Sequence, residues 1–309
     1  MLSPVVLFVY NRPWHTRQTL ESLQKNVLSD QSVLFIYSDG APENATQDQL
    51  RKIAEVRKII RERSWCKEIH IVESEKNKGL ANSIISGVTD IVNNYGKVIV
   101  LEDDIVTSNY FLKFCNEGLD KYESEDRVKA ISGFMFPVSK KLQNAFFLPW
   151  FACWGWATWK RSWNAFEPNS LKLLKEIEKE RKIKDFNFNN SYDFYGLLQA
   201  QNEGRVNSWA IRWFASIFLK QGLTFYPPGS LVQNIGIDGS GTHYNESAKE
   251  PKNNKKIASS KINFRTSFNF PVIIESNKKL EKYLNKYLKK ESSGRSIDRI
   301  KNYLRKVLC

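Results

Sequence analysis

The feature that most restricts this chain is a regular alternation over its first 125 residues. Four short apolar runs, "PVVLFVY" (4–10), "VLFIYSD" (33–39), "EIHIVES" (68–74) and "KVIVLED" (97–103), are separated by stretches with helical periodicity. Runs of this length, rich in Val and Ile, read as strands. After Pro13, a favourable first-turn residue, Leu20 and Leu23 fall on one side of a helix. Residues 46–63, capped by Thr46, direct Leu50, Ile53, Ala54 and Ile60 inward. Residues 79–96 carry Leu80, Ile84, Val88, Ile91 and Tyr95 at helical spacing, with Gly96 as a stop. A further helix is expected from Ser108 to about Tyr122, through Phe111, Leu112, Cys115 and Leu119. Strand and helix alternating with short links predict an α/β fold, a mainly parallel sheet covered on both faces.

Ligands of such sheets bind outside the carboxyl ends of the strands. Three polar clusters fall there: Asn11-Arg12, which follow Tyr10, Asp39-Gly40, and Glu102-Asp103-Asp104. The last is the most demanding, because four apolar residues run straight into three carboxylates. One reading is a helix N-terminus, where acids suit the positive end of the dipole. A second is a divalent metal site, since Mg or Mn takes hard oxygen ligands, one or two of them protein carboxylates, and completes its shell with water and a diphosphate. A third is an acid pair for proton transfer, although adjacent strand residues point to opposite faces. Asp39 serves either a turn with Gly40 or hydrogen bonds to a nucleotide's base or ribose. Asn11-Arg12-Pro13 is either turn chemistry or a phosphate contact. Lys78-Gly79, entering a helix, is either a simple helix start or a place for an anion. Neither GxGxxG nor a Walker A motif occurs, which removes the main support for dinucleotide and P-loop readings.

The second half is less regular. "FFLPWFACWGWATWKRSW" (146–163) holds five of the nine Trp, either core filling or faces on which sugars stack. Residues 170–203 are expected to be helical, interrupted by the Asn-rich "DFNFNN"; "SWAIRWFASIFLKQG" is a helix capped by Ser208 and stopped by Gly222; "LTFYPPGSLV" is a strand and turn. "NIGIDGSGTHYN" is a glycine-rich loop, either a surface loop or a lid with His243 as a metal or phosphate contact.

At 41% hydrophobic residues the chain has enough apolar material for a sizeable core. Four scattered cysteines without a CxxC favour reduced thiols, and three histidines exclude a His-rich metal site. No signal-peptide pattern opens the sequence and no apolar run approaches a bilayer span, so the expectation is a cytoplasmic protein. Of the net charge of +14, residues 276–309 supply +8, with eleven Lys and Arg against three acids. Leu280, Tyr283, Leu284, Tyr287 and Leu288 share one helical face there, and Ile297, Ile300, Tyr303, Leu304 and Val307 share another. Such helices either pack on the core or lie on the inner face of the cell membrane, where each basic residue near an anionic surface contributes about 1 kcal/mol.

Taken in order, "PVVLFVYNRP", "YSDG", "NKGLANSI", "VIVLEDDIVTSNYFLKF", "CWGWATW" and "NIGIDGSGTH" resemble the GT-A-fold glycosyltransferases, in the branch of family-two-like bacterial sugar transferases and N-acetylglucosaminyltransferase I. The resemblance covers roughly residues 4–245. It implies inverting transfer of a hexosyl or N-acetylhexosaminyl group from a nucleotide-sugar, a UDP-sugar, to a surface-glycan or lipid-linked saccharide, with Mn2+ or Mg2+. It assigns Asp104 and His243 to the metal. Tyr10, Asn11, Arg12, Asp39, Lys78, Gly79, Glu102, Asp103, Gly155 and Trp156 fall to the donor, with Trp154 beside them. The family's base segment matches "SWAIRW", where Ala210, Ile211 and Arg212 cannot take a proton at neutral pH; Asp193, Asp238 and then Glu203 are the candidates instead. The expected organisation is a GT-A domain over 1–245, with a nucleotide-sugar half (1–125) and an acceptor half (126–245), followed by a basic extension (246–309). A role in polysaccharide or capsule synthesis would follow. The competing readings are a nucleotidyltransferase of similar topology, whose glycine-rich loop after the first strand is missing here, and a non-catalytic basic binder of membranes or nucleic acid; the core-like spacing of the tail aromatics argues against nucleic acid.

Overall fold

The computed structural model describes residues 1–136, 142–236 and 265–293. The first four strands, β1 (Val5–Val9), β2 (Val33–Ser38), β3 (Glu68–Glu73) and β4 (Lys97–Glu102), alternate with α1 (Pro13–Gln24), α2 (Gln47–Ile59) and α3 (Leu80–Tyr95). They pair in parallel in the order β3-β2-β1-β4. The chain continues through β5 (Ile105–Thr107), α4 (Phe111–Lys121), β6 (Val128–Ser132), β7 (Phe146–Leu148), β8 (Trp156–Trp159) and α5 (Lys160–Trp163). Then follow α6 (Ser170–Lys179), α7 (Ile183–Phe186), α8 (Phe194–Asn202), α9 (Trp209–Leu219), β9 (Leu223–Tyr226), β10 (Val232–Asn234) and α10 (Lys278–Ser293). The full sheet has eight strands in the order β3-β2-β1-β4-β8-β6-β9-β7. β8 is antiparallel to both β4 and β6, and β9 is parallel to β6, so β1, β2, β3, β4, β6 and β9 all point the same way. The α/β class, with a mainly parallel sheet flanked by helices, is as expected. The sheet runs through both sequence halves.

Local chemistry explains the boundaries. Thr46 forms a reciprocal capping box with Gln49, and Gly96 closes α3 in the left-handed region at φ 77°. The inward face of α2 differs from expectation: Ile53, Val56 and Ile59 are buried, whereas Leu50 and Ala54 face solvent. The true stripe keeps the i, i+3 spacing that packs on the sheet. Leu80 and Tyr95, at the two ends of α3, are also exposed. α4 starts at Phe111 rather than Ser108, because residues 105–107 are drawn into a two-stranded antiparallel sheet with β10, and the Ser108 amide donates to the Leu231 carbonyl at 2.7 Å. The Asn-rich break between α7 and α8 has a backbone cause: Phe188, Asn189 and Asn190 all have φ near 50°. β3 closes one side of the sheet and its side chains are mostly exposed.

The Trp-rich segment builds the core. Trp156 in β8 stacks on Trp209 at 5.0 Å, and Trp163 meets Trp213 at 4.9 Å. α10 also belongs to the core, since Leu280, Leu284 and Leu288 are buried. Its apolar face is therefore not free to lie on a membrane, which corrects that reading for this helix; the second amphipathic stretch, 297–307, lies outside the described residues. Its lysines at 278, 279, 282 and 286 are exposed.

Gly155 sits where two backbones cross. It has φ +57°, its carbonyl accepts from Gly133 N–H at 2.6 Å, and a Cβ there would come within 2.8 Å of Val232 and 3.2 Å of the Phe111 ring. Gly155→Ala is expected to destabilise the fold by about 1–3 kcal/mol through overpacking, read as a lowered urea midpoint at unchanged slope.

Candidate functional site

The strand order β3-β2-β1-β4 puts the topological switch point between β1 and β4. β1 hands the chain to Arg12 and α1, and β4 hands it to Asp103 and Asp104. There the guanidinium of Arg12 spans both acids: Nη2 donates to Asp103 Oδ1 and, at 2.9 Å, to Asp104 Oδ2, while Nε reaches Asp103 Oδ2 at 3.4 Å. The Thr19 hydroxyl of α1 donates to the Asp103 carbonyl at 2.8 Å, and the Ile235 amide donates to the Asp104 carbonyl at 2.9 Å. Gly236 then lies directly over the pair, since a Cβ there would be 2.1 Å from Asp104 Oδ2 and 2.7 Å from Arg12 Nη1. The start of the glycine-rich loop thus roofs the acidic cluster.

The electrostatics follow from burial. Desolvation pushes the Glu102 carboxyl well above the ordinary range, Asp104 and Asp103 push it further, and Arg12 opposes them. Asp103 is also raised, by burial first, with Arg12 as the largest opposing influence. Burial by itself would lower the Arg12 pKa, but Asp103 and Asp104 raise it overall and hold the guanidinium charged. Among the described residues no donor reaches the Glu102 carboxyl.

Asp39, at the end of β2, is committed to backbone. Its Oδ1 accepts from Gly40 and Lys78 N–H and its Oδ2 from Gly79 N–H, all at 2.9 Å. It thereby pins the entry of α3 against β2 and fixes Lys78 and Gly79 on the same edge. Tyr10 stands near it, its hydroxyl pKa raised by burial and then by the Asp39 charge. Asn11 is half-buried beside Arg12, and Lys78 is exposed.

Several expected contacts are occupied by packing. Trp156 is 0% exposed with its ring against Trp209, and Trp154 is buried edge-on to Phe134 at 4.7 Å, so neither offers a face to a sugar. Gly155 serves the crossing with Gly133. Asp193, expected as a base, is the N-cap of α8: its Oδ1 accepts from Gly196 N–H at 2.9 Å. Glu203 pairs with Arg205 at 2.5 Å. Asp238 and His243 lie outside the described residues.

The sequence reading missed Trp14. It is 58% exposed, whereas the other eight Trp are buried, and it sits two residues after Arg12 in the first turn of α1. The available signal was its phase, since it falls about half a turn from Leu23 and so lies off the apolar stripe.

No protein-family model matches the chain, and no curated protein matches it. Among solved structures, S. aureus TarS aligns with TM-score 0.32 and 14% identity over 47% of this chain and 25% of TarS. The galactosyltransferase LgtC in complex with donor and acceptor sugar analogues gives 0.35 and 9% over 57% of this chain and 64% of LgtC. UDP-glucose pyrophosphorylase complexed with UDP-glucose gives 0.27 and 12% over 50% and 64%. The chain thus spans about a quarter of TarS and under two thirds of the other two.

A carboxyl whose folded pKa lies above its unfolded value keeps its proton in the native state while the unfolded chain has already released it. Glu102 and Asp103 therefore cost stability as pH rises above the ordinary carboxylate range, until their raised folded values are passed. In the presence of chelator, Glu102→Gln is expected to melt higher than wild type at pH 7 and to flatten the decline between pH 4 and 8. Thermal melts across that range check this; equal slopes would remove the burden assigned to Glu102.

Proposed function

We propose that this protein is a glycosyltransferase that moves a sugar from a nucleotide-sugar to a saccharide acceptor at the carboxyl edge of its sheet. The observation that carries the reading is the Arg12–Asp103–Asp104 cluster at the β1/β4 switch point, roofed at Gly236. Carboxylates at such a place accept hydrogen bonds from ribose and sugar hydroxyls. The same edge gathers Arg12, Lys78 and the N-termini of α1 and α3, which suit a diphosphate. Exposed Trp14 offers an apolar face to a sugar ring. The resemblance to GT-A enzymes supplies the finer expectations, namely a UDP-sugar donor, hexosyl or N-acetylhexosaminyl transfer, inversion, and a surface-glycan or lipid-linked acceptor. Placement at the inner face of the membrane belongs to the same reading.

The donor set fits a divalent ion held partly by its ligand. Among the described residues there is no group of three metal-binding side chains, so these residues by themselves do not form an all-protein cage. Asp104 gives one carboxylate oxygen to Arg12 and keeps Oδ1 for a hard cation, the single-carboxylate arrangement that Mg2+ or Mn2+ accepts beside a diphosphate. Such an ion, when bound, supplies charge stabilisation for the departing diphosphate. Arg12 holds the Asp103 and Asp104 carboxylates in register, Asp39 fixes the Lys78-Gly79 amides, and Gly236 packs directly against the Arg12–Asp104 pair. The acceptor hydroxyl attacks the sugar's anomeric carbon as the bond to the diphosphate breaks, and a carboxylate takes the hydroxyl proton. Asp238 is the remaining candidate for that base, Asp193 being spent on its helix.

A thermal-shift screen of nucleotide-sugars with and without Mn2+ tests the reading, because a ligand of the native state raises the melting temperature. A UDP-sugar is expected to stabilise the protein, more so with Mn2+. Asp104→Asn is expected to retain the fold and lose at least about a hundredfold in transfer, the size of effect seen on removing one preorganised electrostatic group. Full transfer by this variant in chelator would remove the metal role. Pyrophosphate release from a nucleoside triphosphate would instead mark a nucleotidyltransferase.

A further inference from the structure

Arg212 is a buried cation without a counter-charge among the described residues. It lies in the first turn of α9 and is 8% exposed. Its Nε donates to the Ser208 carbonyl at 3.0 Å and Nη2 to Asn207 Oδ1 at 3.3 Å, both neutral acceptors. Among the described residues no carboxylate pairs with it. The contrast within the same molecule is plain: Arg12 is held by two aspartates, and buried Lys129 meets Asp126 at 2.9 Å. A buried charge is ordinarily paired, because desolvating it alone is costly. Burial here pulls the Arg212 pKa down, with no opposing influence.

The topology says where this cation points. α9 leads into β9 through Lys220–Gly222, and β9 runs parallel to β6 and in the direction of β4. The start of α9 therefore lies at the carboxyl edge of the sheet. The Arg212 side chain runs back past that start, toward Ser208 and Asn207, as helical side chains tilt to the N-terminus. α9 also covers the face on which Glu102 sits. Trp209 stacks on Trp156, which is in register with Val100, and Val100 and Glu102 share a face of β4. Arg212 thus stands at the carboxyl edge that also carries Arg12, on the face of the sheet covered by α9.

We propose that Arg212 anchors an oxyanion, a phosphate or carboxylate of the molecule bound at this edge. A guanidinium binds either group through paired N–H donors, and both Nη1 N–H groups lack a partner among the described residues. The source is the diphosphate of the nucleotide or an acidic group on the saccharide acceptor. The site rests on the reading of this edge as a ligand crevice, but not on sugar transfer itself.

Calorimetric titration of wild type, Arg212→Met and Arg212→Lys with pyrophosphate, UDP and glucuronate tests the assignment. Arg212→Met is expected to weaken at least one of them by about ten- to a hundredfold, the range for losing a charge-assisted hydrogen bond. Its ligand-free melting temperature should equal or exceed that of wild type, because an uncompensated buried charge has gone. Loss confined to pyrophosphate and UDP assigns the nucleotide; loss confined to glucuronate assigns an acidic acceptor. If Arg212→Met does not fold, Arg212→Lys carries the same comparison, with a several-fold loss expected because the paired donors are gone. Unchanged affinities for all three, or no binding of any by wild type, overturn the proposal. An absence of sugar transfer beside intact, Arg212-dependent anion binding would count against the enzyme reading alone.

Discussion

The guanidinium of Arg12 is the interaction on which this edge of the molecule depends. β4 delivers three acids to one place, and burial makes each charge there expensive. A cation of the chain's own, fixed at the N-cap of α1, spans Asp103 and Asp104 and lets the strand end as it does. Its influence on Glu102 and Asp103 runs opposite to that of burial. The β1 and β4 exits are thereby tied to each other, and the chain after β10 can settle on top because residue 236 has no side chain.

The rest of the edge is organised by the same economy of backbone and charge. Asp39 spends both carboxylate oxygens on three amides and so joins the β2 exit to the start of α3. Gly133 and Gly155 let two strand ends approach within hydrogen-bonding distance under Phe111. The polar groups of this edge stand at helix starts: Arg12 and Trp14 at α1, Lys78 and Gly79 at α3, Arg212 at α9.

Much of this was legible in the sequence because the first 125 residues are locally consistent. Strand runs, the Thr46 cap, Pro13 and Gly96 each point to the same elements, and the carboxyl-edge rule then locates Arg12, Asp39 and the acidic triplet together. What was not legible is what each group is paired with. The sequence suggested that an external cation relieves Glu102–Asp104, whereas a long-range contact 91 residues away in the chain supplies the nearest positive charge. Trp154 and Trp156 read as core by default and as sugar platform by resemblance, and only tertiary burial separates the two. Asp193 reads as an available acid because a helix cap and a base look alike until Gly196 is seen against it. Arg212 was noticed only as a residue unable to act as a base; that no carboxylate among the described residues pairs with it is a fact of three dimensions.

The outer margin of the sheet has a consequence of its own. β3 is the last strand on that side, and its outer row of peptide groups is a template for another chain. Glu68 pairs with His70 along the strand, and Glu73 draws in Arg57 of α2 at 3.5 Å and Arg61, just past its end, at 2.7 Å. Among the described residues it is this row of charged groups that disfavours strand addition from a second molecule. Salt that screens them would loosen the guard while leaving the fold intact.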